Sequence, residues 1–374
     1  MLNIIEKIDE KRIGVLMTKN GSIATPFFMP IATRGAVKNV IPKELKNIGA
    51  EILLGNAYHL WLRPGDQLVK KAGGLHCFMD WNGPILTDSG GFQIFSLGSK
   101  AQNNFGKNGV KLTEAGVEFR DPTDGNAYFM SPEKSIEIQL NLGSDIIMAL
   151  DECPPYPCDY AYAKQSLELT MRWAIRCHEF FHRKMDEEKE KYRNGRPLLF
   201  GIVQGSVYED LRQESARRLV EVGFDGYAIG GVAVGEPREK MNDIPKWVLP
   251  ILPEDKPRYL MGLGRPDEIV RAVGEGVDMF DCVIPTREGR HGRLFIWKNE
   301  TLDGDFYETI NINNEKFKED FTPVDVKCDC LLCCRYSRAY LRHLFAIKEP
   351  LALRLASLHN LKFYLDLMKK LREC

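Results

Sequence analysis

The sequence predicts an α/β protein, a (β/α)8 TIM barrel with insertions, and three observations predict it. Short apolar runs bounded by turn residues recur eight times. Helical patterns separate many of them. No G-x-G-x-x-G follows any run, which argues against a doubly wound open sheet. The runs are Pro26–Pro30, Glu51–Gly55, Pro84–Thr87, Asp145–Leu150, Leu198–Val203, Gly226–Ile229, Arg258–Met261 and Val277–Phe280. Their length and bounding residues are those of buried parallel strands.

Helical patterns occupy Pro42–Ile48, Ser131–Asn141, Tyr160–Lys191, Glu209–Val222 and Arg265–Glu275. Ser131-Pro132-Glu133 supplies an N-cap followed by proline at the first helical position. Ser96–Asp124 is rich in glycine and asparagine and reads as a hairpin or loop excursion above the barrel. After Arg293 the texture changes. Leu294–Ile312 reads as β-hairpin, a cysteine cluster follows, and helices run from Ser337 to Leu371.

The chain has 374 residues, 44% hydrophobic and 28% charged, with a net charge of −1. That balance announces no global nucleic-acid partner, so any RNA contact has to come from a local basic patch. Met1–Glu10 carries acidic residues and no apolar core, so it does not read as a secretory signal. No stretch approaches 18 uncharged apolar residues, so no membrane is expected and a cytoplasmic location is. Ten cysteines are present, four of them within Cys328–Cys334. Such clustering points to metal binding and reduced thiols.

Barrel enzymes carry their reactive groups at the C-terminal ends of the strands, where the loops converge over one opening. Those positions here hold Asn56, Asp88, Asp151, Gln204, Gly230-Gly231, Gly262 and Asp281. One strand-end aspartate is as readily a helix cap or loop acceptor. Three on one rim, with an amide and a double-glycine turn, favour catalysis. Paired carboxylates suit chemistry at an anomeric carbon, one as nucleophile and one as proton shuttle. A third carboxylate with Gln204 suits reading a base such as guanine, whose N1–H and amino group are donors.

Cys328-x-Cys330-x2-Cys333 places three thiolates within six residues, enough for one structural zinc. By spacing alone the fourth ligand is Cys334, His343 or His359. Residues 1–293 are thus read as the barrel with its catalytic rim. Residues 294–374 are read as a zinc-binding subdomain whose helices, from 337–374, supply the last barrel helix. Arg287, Arg290, His291 and Arg293 follow Asp281, and Arg335, Arg338, Arg342 and His343 follow the cysteines. Their position favours phosphate or base contact over a merely solvated face.

Thr87-Asp88-Ser89-Gly90-Gly91-Phe92-Gln93, Asp145–Cys153, Gly201–Gly205, Gly230–Glu236, Phe280–Arg287, the cysteine cluster and Leu358-His359-Asn360 together resemble bacterial tRNA-guanine transglycosylases, in order and over nearly the whole chain. The resemblance implies Asp281 as nucleophile at C1′ of the wobble guanosine and Asp88 as general acid and base. It implies that Asp151 and Gln204 read the base, with the backbone of Gly231 and Val232 completing the edge. Cys153 belongs to the same pocket, and Phe92 and Met261 sandwich the ring. Arg287 and Arg290 contact anticodon uridines, and Cys328, Cys330, Cys333 and His359 hold one structural Zn2+. The implied substrates are tRNAs for aspartate, asparagine, histidine and tyrosine with G-U-N anticodons, together with guanine and 7-aminomethyl-7-deazaguanine, on the path to queuosine. A homodimer is implied as well. Val232 departs from the leucine of many bacterial members, while Cys153 and Val234 match the bacterial pocket. Two rivals are a non-catalytic zinc-bearing tRNA-binding subunit, which would lose the aspartate pair, and a small-molecule barrel enzyme, which leaves the arginines and the metal motif unexplained.

Overall fold

The computed structural model describes residues 2–98, 110–121 and 123–373. Its centre is a closed ring of parallel strands. The first strand comes in two pieces, Phe27–Met29 and Ile31–Ala32, separated by Pro30, which has no N–H to give to the ladder. One piece pairs with the last strand, Met279–Asp281, and the other with the second, Leu53–Gly55. This shared strand closes the barrel. Between them, in order, lie Ile85–Thr87, Ile146–Met148, Leu198–Val203, Gly226–Ile229 and Arg258–Leu260. Each coincides with a run expected from sequence.

The strand period of two sorts the side chains into two layers. Phe27, Met29, Leu54, Leu86, Met148, Phe200, Ile202, Tyr259 and Met279 fill the interior. Phe28, Leu53, Ile85, Ile147, Leu199, Ile229 and Phe280 pack outward beneath the helices. Ser131 caps helix Pro132–Leu142 by accepting from the Lys134 N–H at 3.1 Å, and Gly143, at φ 78°, ends it in the left-handed region. Among the described residues, no helix is long and apolar enough to cross a membrane.

Three features lay outside the sequence reading. The N-terminal segment forms an antiparallel sheet, Leu2–Ile8, Lys11–Thr18 and Gly21–Thr25. Its Leu2, Leu16 and Ile23 join the interior cluster and plug the end of the barrel where the strands begin. Three short helices follow the second strand, Ala57–Leu62, Asp66–Lys71 and Gly74–Met79. Helix Arg238–Val248 carries an internal Pro245, which obscured it. The excursion expected at Ser96–Asp124 falls partly outside the described residues. What is described is helix Gly91–Gly98 and a three-stranded antiparallel sheet, Val110–Thr113, Gly116–Arg120 and Ala127–Met130.

The expected hairpin is Arg293–Trp297 with Tyr307–Asn311. Helix Pro350–Glu373 lies against the first and last barrel segments: Tyr364 stacks obliquely on Phe28 at 5.0 Å and its hydroxyl donates to the Gly264 carbonyl at 2.6 Å. Arg372 donates to the Pro26 carbonyl at 2.7 Å.

At the plugged end, Arg12 and Asp278 form an ion pair with side chains 2% and 0% exposed. Arg12 also donates to the carbonyls of Glu254 and Lys256, both at 2.8 Å, while Asp278 accepts from the Arg258 N–H at 2.8 Å. Removing one partner strands a charge in the interior. Arg12→Met is therefore expected to cost about 3–5 kcal/mol, measured by urea unfolding. A loss under about 1 kcal/mol would mean the pair behaves as a surface bridge.

Candidate active site

The opposite end of the barrel gathers the rim residues. Asp88 follows the third strand. Its Oδ1 accepts from the Ala57 N–H at 2.8 Å and its Oδ2 from the Asn56 amide. The Asn56 oxygen in turn caps helix Ala57–Leu62 by accepting from His59 N at 3.0 Å. Burial raises the Asp88 pKa, the Ala57 and Gly90 N–H groups oppose that, and the charges of Asp281 and Asp151 add to it. The outcome is about 7. This carboxyl therefore keeps its proton to a much higher pH than a free aspartate does.

Asp281 ends the eighth strand. Its Oδ1 accepts from the Tyr259 hydroxyl at 2.6 Å and from the Gly262 N–H at 3.0 Å. Burial pushes its pKa up, and these two donors hold it back. Among the described residues both donors fall on Oδ1 and none on Oδ2. Tyr259 sits within an apolar strand run and gave no sign of this role in the sequence.

Asp151 is buried, with Oδ1 accepting from the Ser89 hydroxyl at 3.1 Å and Oδ2 from the Gln204 amide at 2.7 Å. Burial raises its pKa, and Gln204 and Ser89 lower it. Glycine is required around it for lack of space. A Cβ on Gly91 would lie 2.6 Å from the Asp151 carbonyl, and one on Gly231, at φ +59°, 2.4 Å from Gln204 Oε1. That Gln204 oxygen is buried and has no hydrogen-bond partner among the described residues. It is a buried acceptor left without a donor.

The loop after the sixth strand is held from two sides. Arg212 donates to the carbonyls of Gly230 at 2.6 Å and Gly231 at 3.0 Å, and Glu236 accepts from the N–H groups of Ala233 at 2.6 Å and Val234 at 2.9 Å. Arg212 reads in the sequence only as a polar residue of an amphipathic helix. Val232 and Cys153 are buried beside this loop, and burial pushes the Cys153 thiol far up, so it is neutral. Met261 is half-buried against the barrel interior. Phe92 is 48% exposed on the first turn of helix Gly91–Gly98.

Helix Ile284–Arg290 follows Asp281 directly and carries both predicted arginines. Arg287 is exposed, with Glu288 3.6 Å away. Arg290 is partly buried, and its Nη1 lacks a hydrogen-bond partner among the described residues. The second arginine cluster is different. Arg338 pairs with Asp320 at 3.1 Å and Arg342 with Glu315, so these two are engaged within their own subdomain.

Cys328, Cys330, Cys333 and His359 are all buried, with ligand atoms within 4.8 Å of one another. His359 Nδ1 lies 3.6, 3.5 and 3.3 Å from the three sulfurs in turn. A tetrahedral zinc with ordinary Zn–S and Zn–N bonds requires N···S edges of about 3.5 Å. The donor set therefore fits that ion. His359 Nε2 meets the Phe295 carbonyl at 2.7 Å, which fixes the ring with Nδ1 toward the sulfurs. Cys334 and His343 are exposed and stand outside the cluster. Asn360, next in line, ties the motif to the barrel. It donates to the carbonyls of Pro285 at 3.0 Å and Arg293 at 2.9 Å and accepts from Phe295 N at 3.1 Å.

Comparison with known proteins gives the family. A family model described as queuine tRNA-ribosyltransferase matches residues 8–374. A queuine tRNA-ribosyltransferase of Psychrobacter sp. (strain PRwf-1) is 51% identical over 362 residues, which is 97% of this chain and 89% of that protein.

The raised pKa of Asp88 has a consequence for stability. The folded state holds this proton up to about pH 7, whereas an unfolded aspartate releases it near 3.9. Its favourable contribution is complete below the unfolded value and is lost as pH rises through the folded one. Asp88→Asn removes that loss. The Tm difference, variant minus wild type, is expected to be more positive at pH 8 than at pH 5 by at least about 2 °C. A pH-independent difference in calorimetry would contradict the assigned shift.

Proposed function

The chain belongs to the queuine tRNA-ribosyltransferase family, and from that membership and the rim geometry we propose that it is a tRNA-guanine transglycosylase working by double displacement. It is a pentosyltransferase acting on tRNA. The proposed exchange removes the wobble guanine of G-U-N anticodons, in tRNAs for aspartate, asparagine, histidine and tyrosine, and installs 7-aminomethyl-7-deazaguanine toward queuosine. The observation that carries this is the unequal pair of carboxyls. Asp281 has one oxygen pinned by Tyr259 and Gly262 and the other unengaged, while Asp88 sits at about 7.

In the first step, Asp281 Oδ2 forms a bond to C1′ as the C1′–N9 bond breaks. The bonding electrons leave with guanine, and Asp88 supplies the proton that neutralises it. Tyr259 and Gly262 stabilise the carboxylate before attack and again when it departs as the leaving group. In the second step Asp88 takes the N9 proton of the incoming base. N9 then bonds to C1′, the ester breaks, and two inversions give retention. The two carboxyls act from opposite sides of the sugar.

Asp151 takes the N1–H and amino donors of the base, and Gln204 with the Gly231 and Val232 backbone completes the edge. Met261 and Phe92 are assigned to the ring faces and Cys153 to the pocket wall. Arg287 and Arg290 are assigned to the anticodon uridines; the partnerless Arg290 Nη1 supports this. Residues 294–374 form the zinc-bearing subdomain, which supplies the last barrel helix. Cys328, Cys330, Cys333 and His359 would hold one zinc; with four protein ligands and no open position it is structural. We further assign the protein to the cytoplasm as a homodimer.

Incubation with labelled guanine and a G-U-N tRNA tests the reaction. Label is expected to enter tRNA with wild type and to fall by at least about 10³-fold in Asp281→Ala. No exchange by wild type removes the proposal. For the metal, His359→Ala is expected to abolish bound zinc by elemental analysis and to lower Tm. A variant that keeps its zinc would exclude His359 as a ligand.

A further inference from the structure

Arg212 lies in helix Glu209–Val222 and is 0% exposed, yet none of its hydrogen bonds among the described residues goes to a carboxylate. All four go to carbonyls at the ends of two neighbouring strands. Nε donates to Ser206 at 2.7 Å, Nη1 to Val203 at 3.0 Å and Gly230 at 2.6 Å, and Nη2 to Gly231 at 3.0 Å. Glu236 acts on this charge only through space, and burying a cation that is bonded to carbonyls alone is costly; a well-packed apolar side chain would often be no less stable. The guanidinium offers something an apolar group lacks: a rigid planar fork whose donors have fixed directions.

Those directions determine where the next N–H groups point. In a planar trans peptide the C=O and the following N–H are antiparallel. Holding the Gly230 carbonyl toward Arg212 turns the Gly231 N–H away from it. Holding the Gly231 carbonyl does the same for the Val232 N–H. Neither N–H has a hydrogen-bond partner among the described residues. Two adjacent backbone donors turned in one sense favour an acceptor such as a carbonyl oxygen.

The geometry points to Arg212 as a positioning residue that aims the Gly231 and Val232 N–H groups at the 6-carbonyl oxygen of the bound purine, and so sets preference for 6-oxopurines. This rests on the base-exchange reading above and goes further by naming the buried residue that positions the two N–H groups.

The test uses steady-state exchange of labelled guanine into tRNA, with inhibition by unlabelled guanine and by 6-thioguanine. The thio analogue keeps N1–H and the amino group but accepts hydrogen bonds weakly at position 6. Wild type is expected to prefer guanine by about 10-fold, the size of one good polar contact. In Arg212→Gln and Arg212→Lys, the KM for guanine should rise about 10-fold or more and the preference should approach one. The KM for guanine should rise more than the KM for tRNA, most of whose contacts lie outside the base pocket, which a general loosening of the fold would not produce. The lysine variant keeps the buried charge without the fork and is the arm to read if the glutamine variant does not fold. A wild type that exchanges guanine but does not distinguish the thio analogue overturns this inference alone, whatever the variants do. So do folded variants that keep the preference. A wild type that exchanges nothing overturns the parent reading instead.

Discussion

Three carboxyls at the mouth of one barrel repel one another, and the rim is built around making that repulsion tolerable without cancelling it. Asp88, Asp151 and Asp281 are each held by neutral donors: the Asn56 amide and Ala57 N–H, the Ser89 hydroxyl and Gln204 amide, the Tyr259 hydroxyl and Gly262 N–H. None is paired with a cation among the described residues. A lysine or arginine in direct contact would hold such a carboxyl ionised and occupy its oxygens. Dipoles leave the charge in place and allow Asp88 to rest near neutrality.

The contrast with the other end of the barrel makes the point sharper. Asp225 and Asp278 also flank barrel strands, at their beginnings. Each meets an arginine, Arg196 at 2.6 Å and Arg12, while also accepting a backbone N–H. Asp145 precedes the fourth strand, with His76 at 3.1 Å and the Lys19 ammonium acting on it. The same residue type at the two ends of the barrel thus has two kinds of partner. At the strand starts arginines meet Asp225 and Asp278; at the strand ends the donors are neutral.

The metal cluster joins the rim through one short segment. Leu358-His359-Asn360 supplies a ligand, grips the hairpin at Phe295 and holds the helix that follows Asp281 through the Pro285 carbonyl. The Cys3His cluster is therefore tied through Asn360 to the helix that carries Arg287 and Arg290.

The eight strands and the rim aspartates were legible because each signal is local. A parallel strand buried on both faces has to be an apolar run, and a reactive residue has to follow it directly. The three cysteines were legible for the same reason, since one ion must be reached from a few consecutive residues, whereas spacing left the fourth ligand open among Cys334, His343 and His359. What the chain order could not convey was partnership across the ring. The N-terminal sheet as a plug, Tyr259 on Asp281, His359 among the sulfurs and Arg212 beneath the Gly230-Gly231 turn all join residues far apart in sequence or on different elements. Which oxygen is pinned, and which way a peptide faces, depends on which strands lie side by side and which helix packs over their ends. Only the folded sheet brings those ends within hydrogen-bonding distance.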